Sequence, residues 1–233
     1  MAGSSSLDSQ AFHLPLGQAD YGETLELQRV LHARRRAGLI PDVVISVEHN
    51  PVITLGRSGS REHLLVSSQE LQREGIELFE VERGGDVTYH GPGQLVIYPI
   101  VDLRAHGRDV KRFIERLEQA TIAALSGFGI EAGRRDGYPG VWILDRKIAS
   151  IGVYVRGWVS RHGLAINVDV NPAHIAMINP CGLSVEMVSA CDLSDRPMAI
   201  DQVRRLFLDR LAEQFGWTLE EMDPALLLGD DDD

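Results

Sequence analysis

Val141-Trp142-Ile143-Leu144-Asp145-Arg146-Lys147-Ile148-Ala149-Ser150-Ile151-Gly152-Val153-Tyr154-Val155 is the stretch that decides the fold. Two runs rich in apolar and β-branched residues, Val141 to Leu144 and Ile148 to Val155, flank Asp145-Arg146, which reads as a hairpin turn. A tight hairpin joins antiparallel strands, whereas parallel neighbours need a long crossover between them. Further strands read on the N-terminal side. Val43 to Val47 and Val52 to Leu55 flank the turn residues Asn50 and Pro51, and Glu77 to Glu82 and Leu95 to Ile100 flank a glycine-rich loop. Toward the C-terminus, Leu164, Ile166 and Val168 alternate with Ala165, Asn167 and Asp169, as in a half-buried strand.

Helical periodicity appears between these strands. Thr24 to Ala37 places Leu27, Val30 and Leu31 on one face and ends at Gly38. Asp109 to Phe128 aligns Phe113, Leu117, Thr121, Leu125 and Phe128, with Asp109 as N-cap. Asp201 to Phe215 spaces Val203, Phe207, Leu211 and Phe215 four apart, and Ser67 with Glu70 has capping-box spacing. Strands outnumber helices and form hairpins, so the fold class is α+β, a mixed β-sheet flanked by helices. No repeat or long linker divides the chain. A single domain over residues 11–220 is expected, with 1–10 and 221–233 as flexible tails.

The bulk numbers exclude several classes. The chain has 233 residues, 44% hydrophobic and 24% charged, which is ordinary for a globular protein. No stretch approaches the roughly 20 apolar residues needed to cross a bilayer, and the first residues lack a secretion signal. Two cysteines, Cys181 and Cys191, form no disulfide framework, so free thiols in a cytoplasmic protein are expected. The net charge is −11, and the Asp230 to Asp233 run accounts for four of those charges. An acidic chain is poorly suited to nucleic acid, whose non-specific binding rests on neutralising phosphates. No Cys/His cluster has zinc-ligand spacing.

Four short segments carry chemistry. The first is Arg83-Gly84-Gly85-Asp86-Val87-Thr88-Tyr89-His90-Gly91-Pro92-Gly93-Gln94. Its glycines let the backbone come close to a ligand, and its polar side chains sit beside that backbone. It has neither spacing of a phosphate loop. The second is Lys147-Ile148-Ala149-Ser150-Ile151-Gly152, in which a lysine opens a strand of small residues. The third is His162-Gly163-Leu164-Ala165-Ile166-Asn167. The fourth, Asn179-Pro180-Cys181-Gly182, places a cysteine on a loop, where an exposed thiolate nucleophile could live. Read alone, each segment also fits a bland role: turn glycines, a solvated lysine, a turn histidine, an inert thiol.

Taken in order, these segments closely resemble the lipoyl(octanoyl) transferase family, from about Leu16 to Phe215. The resemblance implies a fold shared with biotin and lipoate–protein ligases. It also implies the reaction: an octanoyl group passes from octanoyl-acyl carrier protein to a specific lysine, through a thioester on Cys181. The implied acceptors are lipoyl domains of 2-oxoacid dehydrogenase complexes and the glycine-cleavage H protein. No cofactor, metal, nucleic acid or membrane is implied. By family match, Lys147 is the ammonium that stabilises the Cys181 thiolate. Arg83, Gly84, Gly85, Asp86, Val87, Thr88, Tyr89 and His90, with Ser150, Ile151 and Gly152 and with Gly163, Leu164 and Ala165, would line the acyl site. Asp86 and His90 also fit a role in holding the loop. Two alternatives stay open: an ATP-dependent ligase of the same fold, which would not need Cys181, and a non-catalytic lipoyl-domain-binding protein. Both implied partners are expected to be acidic. Local basic clusters (Arg34 to Arg36; Arg104, Arg108, Lys111 and Arg112; Arg134-Arg135) would then have to steer them, unless they are only solvated helix ends.

Overall fold

The computed structural model describes residues 9–180, 185–194 and 198–228. Eleven strands are named within these residues: β1 (Gln10–Ala19), β2 (Asp42–His49), β3 (Val52–Leu55), β4 (Glu77–Glu80), β5 (Val87–His90), β6 (Gln94–Ile100), β7 (Gly133–Arg135), β8 (Tyr138–Ile143), β9 (Arg146–Arg156), β10 (Val159–Asn167) and β11 (Thr218–Glu221). Six helices interleave with them: α1 (Tyr21–Arg36), α2 (Ser68–Arg73), α3 (Val110–Ser126), α4 (Pro172–Ile175), α5 (Ile200–Phe215) and α6 (Ala225–Leu228). Eight strands form one sheet in the order β11-β1-β2-β6-β10-β9-β8-β7, and β4-β3-β5 form a second. The large sheet is mixed: β1 runs parallel to β2 and β11, while the β2-β6-β10-β9-β8-β7 succession is antiparallel. The β8–β9 hairpin forms as expected, though its two-residue turn is Leu144-Asp145, one position earlier. Leu144 there takes φ 57° and is 90% exposed.

The long helices form where periodicity placed them, but α1 buries Tyr21, Thr24, Leu25, Gln28, Leu31 and His32, and Val30 of its expected apolar face is exposed. Asp109 caps α3 by accepting from Arg112 N at 3.0 Å. Ser67 and Glu70 close both halves of the capping box on α2. α3 and α5 pack on one face of the large sheet, around Phe113, Leu117, Leu125, Val203, Phe207 and Leu211. Burying each such side chain stabilises the fold by about 1.5–3 kcal/mol. α1 covers the other face through Leu31, against Leu14, Ile45, Val96 and Ala165.

Two layers explain where the sequence reading fell short. β10 was expected to be half-buried, but all nine of its residues are buried. It lies mid-sheet, so Leu164 and Ile166 enter one core while Ala165 and Val159 enter the other. The expected tail from residue 221 is also packed in part. Glu221 pairs with His13, and Leu227 is buried among Leu14 and Ile45. β1, with its internal Gly17 and Pro15, escaped pattern reading because its register shifts between those two residues.

Candidate active site

The glycine-rich segment is anchored at both ends. Arg83 is buried, and its guanidinium donates to Thr54 Oγ1 (3.0 and 2.9 Å), Thr54 O (2.7 Å) and Gly84 O (3.1 Å), fixing the loop to β3. Gly84 N donates to Val153 O at 2.9 Å, which ties the loop to β9. A Cβ on Gly152 would sit 2.7 Å from Gly84 O, so glycine is required there for the close approach. Asp86 accepts from Ser60 N at 3.3 Å and lies 2.6 Å from His63 Nδ1. His90 Nδ1–H donates to Gln94 Oε1 at 2.7 Å. Gln94 Nε2 in turn donates to Tyr89 O and Asn167 Oδ1. Asp86 and His90 thus hold the loop in shape while also facing a cavity.

That cavity, about 450 Å³, opens between the glycine-rich loop, β9, β10 and the β7–β8 hairpin. Its volume falls in the roughly 300–1,000 Å³ range of small-ligand sites. Its lining brings together Arg83, Gly84, Gly85, Asp86, Val87, Thr88 and His90, Lys147, Ser150, Ile151 and Gly152, and Gly163, Leu164 and Ala165. Tyr89 is the exception among the expected lining residues. It packs in a separate cluster with Ile53 and Leu71, and its hydroxyl hydrogen-bonds His174 Nδ1 at 2.8 Å. Strand alternation in β5 sends it to the opposite side from Thr88 and His90. A Cβ at Gly163 would run into the Ile97 carbonyl, so the strand pairing itself demands glycine beside the slot.

Sequence reasoning missed Tyr21, Val96, Tyr98, His162, Tyr138 and Pro139, which also line the cavity, as do Ile114, Gly137 and Val153. Exposure grades the cavity from Gly137, Tyr138 and Pro139, exposed at the mouth, to Val96, Tyr98, Tyr21 and His162, buried at the floor. Only His162 has a local signal, since a histidine before a glycine reads as a turn marker. It instead lies within β10 at φ 57°, a left-handed conformation uncommon outside glycine.

The floor is neutral. His49 Nδ1–H donates to Ala19 O (3.1 Å), which leaves Nε2 to accept the Tyr98 hydroxyl proton at 2.8 Å. Burial pushes the His49 imidazole down to about 4, and burial pushes His90 and His162 down to about 3, helped by neighbouring His49 and Arg161 respectively. Burial raises the Tyr98 phenol well above its usual range. The floor therefore presents uncharged rings to whatever enters.

Besides the buried Arg83 guanidinium, which is bound to β3, positive charge stands nearer the mouth. Lys147 Nζ donates to Pro139 O at 3.2 Å and lies 4.7 Å from the Trp142 ring centre. The Lys147 backbone also holds the chain on the C-terminal side of Cys181: its N–H donates to Glu186 O (2.8 Å), and its carbonyl accepts from Val188 N (3.0 Å). On the other side of Cys181, Asn179 N donates to His63 O at 2.9 Å, and Pro180 lines the cavity. Cys181 itself lies outside the described residues. Cys191 is partly buried away from the cavity. Burial and then Asp169 push its thiol up, the reverse of what activates a thiolate.

The lipoyl protein ligase A/B catalytic domain description matches residues 20–212. The octanoyltransferase of Solibacter usitatus is 46% identical over 204 residues, covering 88% of this chain and 92% of that protein. The octanoyltransferase of Syntrophobacter fumaroxidans is 44% identical over 224 residues, covering 93% and 98%. Among solved structures, the bipartite lipoate protein ligase of Thermoplasma acidophilum superposes with a TM-score of 0.73 at 15% identity, covering 94% of this chain and 91% of that one. At that identity the likeness speaks for the fold alone: a mixed sheet flanked by helices, as expected. The chain belongs to the lipoyl protein ligase A/B catalytic domain family.

Proposed function

We propose that this protein is an octanoyltransferase of protein lipoylation, which moves an octanoyl group from an octanoyl-acyl carrier protein to a lysine of a lipoyl domain through a thioester on Cys181. The observation that carries the reading is the cavity. It has an uncharged floor of Val96, Tyr98, His162 and Ala165, an ammonium at Lys147, and Pro180, the residue before Cys181, in its wall. An eight-carbon chain in this slot gains about 0.8 kcal/mol per methylene buried.

In the first half-reaction the Cys181 thiolate attacks the thioester carbonyl. The new sulfur–carbon bond forms, the donor sulfur–carbon bond breaks, and the donor leaves as a thiol with a proton relayed through Lys147. In the second, the acceptor amine attacks the same carbon. The amide bond forms, the Cys181 thioester breaks, and the amine's proton returns to the enzyme. Both donor and intermediate are thioesters, so the exchange needs no ATP. The lipoyl domains of 2-oxoacid dehydrogenase complexes and the glycine-cleavage H protein are the proposed acceptors.

Mixing the protein with octanoyl-carrier protein and measuring intact mass tests the reading. A gain of one octanoyl group, lost on adding an acceptor domain and absent in Cys181→Ser, is the expected result. An adduct that persists in Cys181→Ser, or transfer that requires ATP, would overturn it.

A further inference from the structure

The adjacent arginines of the β7–β8 hairpin have different surroundings. Arg134 is bound into α3: Nε donates to Glu118 Oε2 at 2.9 Å, and its second nitrogen donates to Glu115 O (2.7 Å) and Gln119 Oε1 (3.2 Å). Arg135 is exposed and has no ion pair among the described residues, not even with the adjacent Asp136. Its guanidinium is instead held against two rings, 4.9 Å from the Tyr138 ring centre and 5.1 Å from that of Trp142. Such stacking fixes a cation in place without neutralising it. Tyr138 is half-exposed at the cavity mouth, so Arg135 presents an oriented positive charge at the entrance of a protein whose net charge is −11.

Distance selects the anion. Lys147 Nζ and the Arg135 guanidinium both stand over Trp142, at 4.7 and 5.1 Å from its centre, so they are at most about 10 Å apart. Under the proposed function the acceptor amine must reach a carbonyl held beside Lys147. A lysine side chain spans roughly 6 Å, and each neighbouring Cα lies about 3.8 Å further along the chain. Carboxylates one or two residues from the target lysine therefore fall within reach of Arg135. A carrier protein delivers its thioester on an arm of more than a dozen bonds, roughly 15 Å long, which holds its own carboxylates farther off.

We propose that Arg135 is a docking residue for the acceptor protein, pairing with a carboxylate within one or two residues of the target lysine. The proposal rests on the octanoyltransferase reading. Arg134, already bound to Glu118, supports the hairpin and takes no part in docking.

The test compares the full-length protein with Arg135→Glu, Arg135→Gln and Arg135→Lys, and measures the two half-reactions separately. Acylation by octanoyl-carrier protein is followed by intact mass; transfer from the acylated protein is followed with an apo lipoyl domain. Thermal unfolding of each variant checks the fold. Arg135→Glu should lower kcat/KM for the acceptor about tenfold or more at low ionic strength, shrinking to about twofold at high salt. Arg135→Lys should retain most of the rate, and acylation should be unchanged. An acceptor with Lys in place of the carboxylates beside its target lysine should restore transfer by Arg135→Glu. Unchanged acceptor kinetics in both Arg135→Glu and Arg135→Gln, or an equal loss in the donor step, would overturn the proposal while leaving the transferase reading intact. No octanoyl transfer by the unaltered protein would overturn that reading and the proposal with it.

Discussion

Where β2 begins and just past the end of β6, Asp42 and Asp102 are buried and paired with Arg35 and Arg104, with His106 beside them. Arg35 Nε reaches Asp42 Oδ1 at 2.7 Å, Arg104 reaches Asp102 Oδ2 at 2.6 Å, and His106 Nε2 lies 3.3 Å from Asp42 Oδ2. The cavity floor, alongside β6 and β10, is built from similar polar residue types in the opposite way. Its histidines are neutral. Nε2 of His162, Nε2 of Gln28 and Oε2 of Glu82 are buried without hydrogen-bond partners among the described residues, although His162 Nε2 lies 3.9 Å from Glu82 Oε2. Buried polar groups are ordinarily satisfied, because leaving one unpaired costs about 1–3 kcal/mol. The first region has the satisfaction expected of scaffold. The second tolerates unpaired groups around a neutral slot, and strained or unsatisfied groups of this kind gather at functional sites.

This contrast is testable, and the largest effect is expected at the scaffold. Arg35→Ala leaves buried carboxylates short of a cation and should cost about 3 kcal/mol or more of stability in denaturant unfolding. Activity per folded molecule should hardly change. A large loss of activity without a loss of stability would break the division between the two regions.

Next comes the cavity cation. Lys147→Ala should lower kcat/KM by about a hundredfold, with less than about 1 kcal/mol change in unfolding free energy. It should also move the alkylation profile of Cys181 to higher pH, since an ammonium favours the thiolate. An unmoved profile would detach Lys147 from thiol activation.

The third effect separates the regions by pH. An ordinary histidine takes up its proton near pH 6.5. In the folded protein His49 does so at about 4, and His90 and His162 at about 3. The unfolded chain therefore binds more protons between these values. This contribution to stability is complete above pH 6.5 and is lost as the pH falls toward 3. Each of the three histidines should contribute a loss of about 2 kcal/mol between pH 7 and pH 5, and His49→Gln with His90→Gln should remove two of the three contributions. Asp102 acts in another window. Burial pushes its carboxyl up, but Arg104 and Arg35 outweigh burial and hold it below the usual range. Its contribution should persist at pH 5 and disappear only below about pH 4.

The smallest effect is expected at the floor. Tyr98→Phe removes the proton that His49 Nε2 accepts and should cost about 1 kcal/mol. It should alter the preferred acyl length more than the rate with octanoyl. Unchanged chain-length preference would place the end of the slot elsewhere.

Much of this was legible in the chain, and the exceptions have causes. The periodicity of α3 and the capping box at Ser67 depend on residues three and four apart, so short windows reveal them. The glycine-rich segment was legible as a site because its composition conflicts with a plain strand. Yet β5 runs through it, paired with β3, and that pairing turns Tyr89 away from the cavity. Tyr98 and Val96 carried no signal, since an apolar β6 reads the same whether its side chains meet a helix or a ligand slot.

The sequence by itself determined the long helices, the β8–β9 hairpin, the mixed sheet and the segments that gather around one cavity. Each of these is written in neighbouring residues, whose spacing sets which face is apolar and where the backbone needs glycine. The Asn50-Pro51 turn, by contrast, carries the chain from β2 in the large sheet to β3 in the small one. Only the tertiary structure decided which polar groups are paired and which are left open. Arg134 and Arg135 are adjacent in sequence, yet one is bound to Glu118 and the other stacks at the cavity mouth. The same holds for His162, whose neutral state comes from burial against Tyr98 and from the field of Arg161 and Arg83. Desolvation and charge act through space over a few ångströms, and residues distant in the chain supply both.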